Sequence, residues 1–281
     1  MNKKLVSLVL RHMFLAFLAF LWLIPIIWLL VTSFSAYKGI NTMHFFPESF
    51  SIDNYVQLFA RPDTVANYPS WFKNSMIIGV FTCIISTSFV LMVSYAFSCM
   101  RFKARKTLMS FSIILDMFPG VLSMIAVYFV MKLLGLTNSI VGLVVIYSAG
   151  SGLGYLICKG FFDTIPVSLR ESARLEGASE FIIFTRIIIP LSKPIIVYTV
   201  INSFLSPWMD FVMAKLMIRS KNPCDWTMAM GLFNLVQKSL VGDYFSVFCA
   251  GGIIVAIPIS ILFLIMQRFY IEGITGGAVK G

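Results

Sequence analysis

Charge is what this sequence has least of. Only 12% of its 281 residues are Asp, Glu, Lys or Arg, against roughly 25% in an ordinary soluble domain. A soluble chain this poor in charge and 59% hydrophobic would expose apolar patches large enough to drive association. The composition therefore excludes a free soluble enzyme or binding domain and points to lipid as the surrounding solvent. Histidine is almost missing: His12 and His44 are the only two, too few and too far apart for a metal site. Cysteines Cys83, Cys99, Cys158, Cys224 and Cys249 show no C-x-x-C or comparable spacing. Most sit in apolar runs, where a free thiol behaves as a small hydrophobe, and they say nothing of redox compartment. Neither H-E-x-x-H nor G-x-S-x-G occurs, so no catalytic residue is nominated. A G-x-x-x-x-G-K-[ST] phosphate loop is also absent, and the glycines between Gly276 and Gly281 lack that spacing.

What is present is a series of long apolar runs. A membrane-crossing helix needs about 20 mostly apolar residues. Six segments qualify: His12 to Phe34, Trp71 to Cys99, Thr107 to Met131, Ser139 to Cys158, Pro194 to Leu216, and Tyr244 to Arg268. Helix is required because the bilayer core offers no partner to an unpaired backbone group. The expected fold is all-α, a single membrane-embedded domain over residues 1–281 with six spans. The net charge of +10 is scattered between the apolar runs, which suits anionic lipid headgroups and not nucleic acid. Most of the 22 Lys and Arg fall on the inner pieces when both termini lie in the cytoplasm, and Arg101, Lys103, Arg105 and Lys106 form the densest cluster. The run from Met13 to Val31 is too long for a signal-peptide core, so an uncleaved first span is expected.

In the first outer loop, Ser51 to Phe59 reads as a short helix capped by Ser51 or Asp53, with Tyr55, Leu58 and Phe59 on one apolar side. The inner loop between the fourth and fifth spans, residues 159–193, is longer and more ordered in character. Pro166 stops the preceding structure, and Ser168 with Glu171 has the S-x-x-E form of a capping box. A helix from Leu169 to Glu176 is expected. Ala173, Gly177 and Ala178 offer a small-residue face permitting close approach of another surface. Gly177 serves as the break between two short helices. Phe181, Phe184, Ile187 and Ile188 lie on one side of the second, which Pro190 and Pro194 end.

Glu171-Ser172-Ala173, then Gly177 three residues later, then nine residues and Ile187-x-Ile189-Pro190, resembles the E-A-A---G---------I-L-P motif of binding-protein-dependent ABC importer permeases. Ser172 and Ile189 are mild departures. Met117-Phe118-Pro119, Lys159 to Thr164, and the tail Gly273 to Gly281 extend the likeness to the G-type permease of maltose and maltodextrin importers. The resemblance implies the type I importer permease fold in the bacterial inner membrane. It assigns Glu171, Ser172, Ala173, Gly177, Ala178, Ile187 and Pro190 to a coupling element seated on an ATPase subunit. It also implies that the tail, with Gly276, Gly277 and Lys280, reaches an ATPase dimer. The implied partners are an F-type second permease, two ATPase subunits holding ATP and Mg, and an extracytoplasmic sugar-binding protein. This chain would carry no cofactor and would not be an enzyme. The implied substrate is an oligosaccharide, malto-oligosaccharide first, with galacto-oligosaccharide or another short glycan as the alternative.

Outside the motif, Asp116 in the third span and Asp210 in the fifth are expensive in lipid unless they face protein, water or a partner. Each reads either as a pore-lining group or as a structural hydrogen-bonding group. Pro119-Gly120 is expected to kink the third span. Gln237, Lys238, Gly242 and Asp243, just before the last span, occupy the position where maltose-type importers contact their binding protein. The competing class is an ion-coupled secondary transporter, which would need a coupling site of ionisable groups and broken helices in repeated halves. Asp116 alone is a weak start toward that, and the loop motif would go unexplained.

Overall fold

In the computed structural model, residues 3–40, 44–60, 65–150 and 152–278 are described. Among them the regular structure is helical, and one isolated antiparallel bridge joins Ser35 and Phe50. Three helices are long and apolar enough to cross a membrane: α1 (Lys3–Ser33), α3 (Tyr68–Cys99) and α14 (Val241–Ala278). Three bent pairs pass the same test when each pair is taken together, so the count reaches six if each is one span. They are α4 (Arg105–Asp116) with α5 (Gly120–Leu133), α6 (Ile140–Ala149) with α7 (Gly152–Phe162), and the helical run Glu180–Leu191 with α11 (Lys193–Met209). The remaining short α-helices are α2 (Asp53–Ala60), α8 (Val167–Leu175), α9 (Glu180–Ile183), α10 (Ile189–Leu191), α12 (Val212–Met217) and α13 (Met228–Leu235).

The expected third span is a sharp corner. α4 and α5 meet at 106°, far beyond an ordinary kink. Pro119 has φ −55° and ψ 121°: its ring fixes φ, it has no N–H to give to the preceding turn, and the residue before it is pushed from helical angles. The expected fifth span is interrupted as well. α11 stops at Met209, Asp210 takes an extended conformation (ψ 105°), and the Asp210 carboxylate then accepts a hydrogen bond from the Met213 N–H at 3.0 Å, capping α12. The carboxylate thus satisfies a backbone donor that would otherwise be orphaned at the break.

The chain divides into two compact units, Met1–Pro69 with Gly231–Ile257 and Ser70–Met230 with Pro258–Gly281. In the first, α2 is held through Asn54, whose Nδ2 donates to the carbonyls of Ser33 and Ser35 at 3.0 and 2.8 Å. Ser51 Oγ accepts from the Asp53 N–H, so Ser51 supplies the expected cap. Leu58 is fully buried while Phe59 stays half exposed with its ring edge against Tyr68. Ser246 Oγ donates to the Tyr37 carbonyl and Tyr68 OH to the Gly251 carbonyl. In the second unit, Trp71 and Asn74 near the start of α3 donate to the carbonyls of Pro223, Cys224 and Trp226, fixing the connection between α12 and α13. An apolar cluster of Tyr128, Met131, Leu143, Met213 and Met217 fills the space between α5, α6 and α12. Polar side chains of α3 such as Ser75, Thr82, Ser86 and Ser94 are also buried. Small hydroxyls allow helix backbones to approach closely where water supplies no driving force.

Candidate functional site

The segment after α7 begins where Pro166 (φ −54°, ψ 128°) precedes α8. Val167 is already helical, two residues earlier than expected. Ser168 therefore falls inside the first turn, and no side chain caps α8. The S-x-x-E pattern does not form a capping box here because the proline has taken the N-cap position. The opposite end of α8 conforms to the sequence. Gly177 has φ +82°, the left-handed region that glycine enters without a Cβ penalty. The Gly177 N–H donates to the Arg174 carbonyl at 3.0 Å and the Ala178 N–H to the Ala173 carbonyl at 2.9 Å. That pair of bonds is a Schellman motif, and it closes the open carbonyls of the last turn. Two residues later Ser179 Oγ accepts from the Ile182 N–H and starts α9.

The helix from Glu180 then loosens to a π turn over Phe184–Ile188, with the Ile189 N–H bonded back to the Phe184 carbonyl. Pro190 explains the change. It has no N–H, and its ring would clash with the carbonyl four residues back in a regular helix. Pro190 does not end the helix, as the sequence reading expected; α10 runs through it to Leu191. After Ser192 the chain turns by 86° into α11.

The segment has two faces. Its inner face joins an apolar cluster of Val90, Leu91, Tyr95 and Cys99 from α3, Cys158 and Phe162 from α7, and Ile183, Ile188 and Ile195. Ala173, Ala178 and Ile187 pack against this cluster. The two alanines, partly buried, let α8 approach the chain's own helices. Phe181 departs further from expectation: it is 74% exposed, and Ile183 takes the inner position instead. The outer face carries Glu171, Ser172 and Gly177, all exposed, together with Leu175, 90% exposed, and Phe181. A Cβ placed on Gly177 would meet nothing within 4 Å, so the glycine opens onto space at the crest of the turn. Leu175 was not singled out from sequence, and Phe181 was read only as part of the apolar side of the second helix. The available signal was their position just before and just after the Gly177 break, off the buried face.

Ionic and hydrogen-bonded contacts brace the segment. Arg174 pairs with Glu180 across the turn, with Nε to Oε1 at 2.8 Å, and Tyr95 OH donates to Glu180 Oε2 at 2.6 Å. The Tyr95 hydrogen bond holds the Glu180 carboxyl below the usual glutamate range, against the opposing effect of burial, with Arg174 and Arg170 helping. At the other end of the segment Lys159 pairs with Asp163, and Ser98 Oγ donates to Asp163 Oδ1 at 2.7 Å. Burial would raise the Asp163 carboxyl, but the bonds from Lys159 and Ser98 and the charges of Lys159 and Arg105 outweigh it and bring it below the usual aspartate range.

The other nominated residues lie elsewhere. Asp116 is the exposed last residue of α4. Asp210 borders a cavity of about 720 Å³ with Ser123, Tyr147 and Ser206, otherwise apolar, and Asp116 is not among its lining residues. In the first unit, the Gln237 carbonyl accepts from the N–H groups of Leu240 and Val241 as the chain enters α14, while Lys238, Gly242 and Asp243 are exposed. Gly276 and Gly277 fall in the backbone of α14; Lys280 lies outside the described residues.

Residues 94–275 match the family model described as "Binding-protein-dependent transport system inner membrane component". The chain is 34% identical to the galactooligosaccharides transport system permease protein GanQ of Bacillus subtilis (strain 168), over 99% of this chain and 98% of that one. It is 34% identical to the maltodextrin transport system permease protein MalD of Streptococcus pneumoniae, over 90% of this chain and 89% of that one. In fold it is similar to a chain of a bacterial ABC transporter that imports alginate, with TM-score 0.75 at 20% identity, covering 96% of this chain and 99% of that one. With a family match across more than half its length and relatives aligned almost end to end, this chain belongs to the inner-membrane components of binding-protein-dependent transport systems.

Proposed function

We propose that this chain is one of two membrane-spanning subunits of an ATP-driven oligosaccharide importer, and that the segment 159–193 is its coupling element. The observation that carries the reading is the two-faced build of that segment. Its back is fastened to α3, α7 and α11, while Leu175 and Phe181 project from its front on either side of an open glycine turn. Leu169 and Ile182 of the same segment are exposed as well, and apolar surface gathered on one short segment marks a place for a partner. A cleft in an ATPase subunit is the partner that suits a short rigid helix pair, and the missing phosphate loop requires the nucleotide, with its Mg, to sit on that other chain.

The full reading has six spans, with α4–α5 and α6–α7 each counted as one and the fifth beginning with α11, and both termini in the cytoplasm, all in a single permease domain. A second permease completes the pore, two ATPase subunits drive it, and a sugar-binding protein docks outside against the region of Gln237 to Asp243. The tail with Gly276, Gly277 and Lys280 extends toward the ATPase dimer. Asp116 and Asp210 line the sugar path. Closure of the ATPases pushes on Leu175 and Phe181, and the braced segment passes that displacement to the spans. Short malto- or galacto-oligosaccharides are the substrates, in keeping with the relatives of both kinds.

The test is to purify the tagged chain from detergent with its neighbours, then measure ATP hydrolysis with candidate binding proteins loaded with maltotriose or with a galactotriose. Recovery of a second permease and an ATPase, with hydrolysis stimulated by one loaded protein, supports the reading and chooses the sugar. A chain that is recovered alone and moves solute under an ion gradient refutes it.

A further inference from the structure

The cytoplasmic end of α3 touches the coupling segment at two places that share one chemical plan. Tyr95 and Ser98 are three residues apart on α3, hence on one face of the helix. Each hydroxyl donates to a carboxylate of the segment, Tyr95 to Glu180 at 2.6 Å and Ser98 to Asp163 at 2.7 Å. Each carboxylate is in turn paired with a cation of the segment, Glu180 with Arg174 and Asp163 with Lys159. Between them lies the apolar contact of the Tyr95 and Phe184 rings, with centroids 4.9 Å apart. Above them Ser94 Oγ donates to the Tyr155 carbonyl of α7 at 2.9 Å.

We propose that two hydroxyl–carboxylate–cation triads, Tyr95–Glu180–Arg174 and Ser98–Asp163–Lys159, latch α3 to the coupling segment, so that a push on α8 displaces α3 together with the covalently attached α11. The inference rests on the importer reading and adds the route by which force reaches a span nearly 80 residues away in sequence. Apolar packing fixes a register at rest but tolerates the small sliding of packed helices seen in shear motions. Hydrogen bonds to charged acceptors are directional and worth more than neutral ones. The triads bracket α8, one where the chain leaves α7 and one at the start of α9, so they resist rotation as well as translation. The ion pairs set the acceptors in place: each cation holds its carboxylate in one rotamer, and the hydroxyl of α3 meets a fixed oxygen.

The experiment uses the whole complex, with the five native cysteines of this chain replaced and spin labels placed at Met92→Cys on α3 and Arg186→Cys beyond α9. Both positions are exposed. Distances are measured by pulsed electron resonance in the nucleotide-free complex and in the complex trapped with ATP and vanadate, which needs no knowledge of the sugar. A latched α3 gives a mean distance that changes by less than about 2 Å between the states, the scale of small helix shifts; a larger change overturns the latch. Tyr95→Phe with Ser98→Ala removes both donors and keeps the ring packing and both ion pairs. It should make the distance nucleotide-dependent or broaden it markedly, and a double variant that behaves like wild type also overturns the latch. If that variant does not recover the ATPase at wild-type yield, Ser98→Ala alone tests one triad in the same way. Ser88→Ala, whose hydroxyl bonds only within its own helix to the Ile84 carbonyl, is the control. Failure of any ATPase to join the purified wild-type complex refutes the importer reading itself, a result separate from the distance measurement.

Discussion

Replacement of Gly177 separates the local role of the glycine from its role at a partner surface. At φ +82° any other L-residue carries backbone strain of roughly 1 kcal/mol, with Asn and Asp the least penalised. A Cβ there meets nothing within 4 Å of this chain, so the folded subunit adds no clash to that strain. Were the glycine needed only to end α8, the order of tolerance would be Asn and Asp first and Ala last. Docking against an ATPase reverses the order. A carboxylate pressed into a desolvated contact without a partner costs more than the roughly 1–3 kcal/mol of a neutral polar group, and about 2–3 kcal/mol already means a roughly 30- to 150-fold weaker dissociation constant. Ala adds one methyl and should weaken binding less than tenfold. The assay is titration of the purified ATPase onto detergent-solubilised Gly177→Ala, Gly177→Asn and Gly177→Asp permease complexes, with membrane insertion checked in parallel. The expected order of affinity is Gly, then Ala, then Asn, then Asp, with insertion unchanged. An Asp variant that binds the ATPase at least as well as the Ala variant refutes the docking argument and leaves Gly177 as a helix terminator.

Three further outcomes test other parts of the structure. Gly142→Ala should lower stability by about 1–3 kcal/mol, because its Cβ would collide with the Leu136 carbonyl oxygen; an unchanged thermal midpoint of the detergent-solubilised chain would contradict the close approach. Asp210→Asn should keep the cap on α12 and retain uptake of the identified sugar, whereas Asp210→Ala should lose about 0.5–2 kcal/mol of local stability and much of the uptake; equal loss in both would show that the charge itself is used in the path. Glu180 and Asp163 have folded pKa values below their ordinary ones, so their stabilising contribution is complete above the ordinary carboxylate range and is lost as pH falls through the lowered values. Protease cleavage of the segment should therefore accelerate only below about pH 4, and Glu180→Gln with Asp163→Asn should flatten that dependence; an identical acid profile in the variant would disconnect the two carboxylates from the bracing.

The sequence alone determined the chain's solvent and its family. Apolar length is a one-dimensional property, and α1, α3 and α14 appear close to where the runs of His12, Trp71 and Tyr244 placed them. The Gly177 break was equally legible, since a left-handed turn at the end of a helix depends on the residue that occupies it. Tertiary structure decided the rest. Pro119 announced a bend, but a 106° corner depends on what the two arms pack against. Ser168 matched a capping pattern, yet Pro166 took the N-cap position. Ala173 and Ala178 read as a small-residue face permitting close approach, and the structure packs them against the chain's own cluster while Leu175 and Phe181 face out: the turn at Gly177 rotates α9 relative to α8, and periodicity within either helix cannot supply that rotation. The pairing of Tyr95 with Glu180 and of Ser98 with Asp163 joins residues 85 and 65 positions apart. No local pattern encodes such a contact; it arises only when α3 is laid against the segment in one register, and that register is set by the packing of the apolar cluster between them.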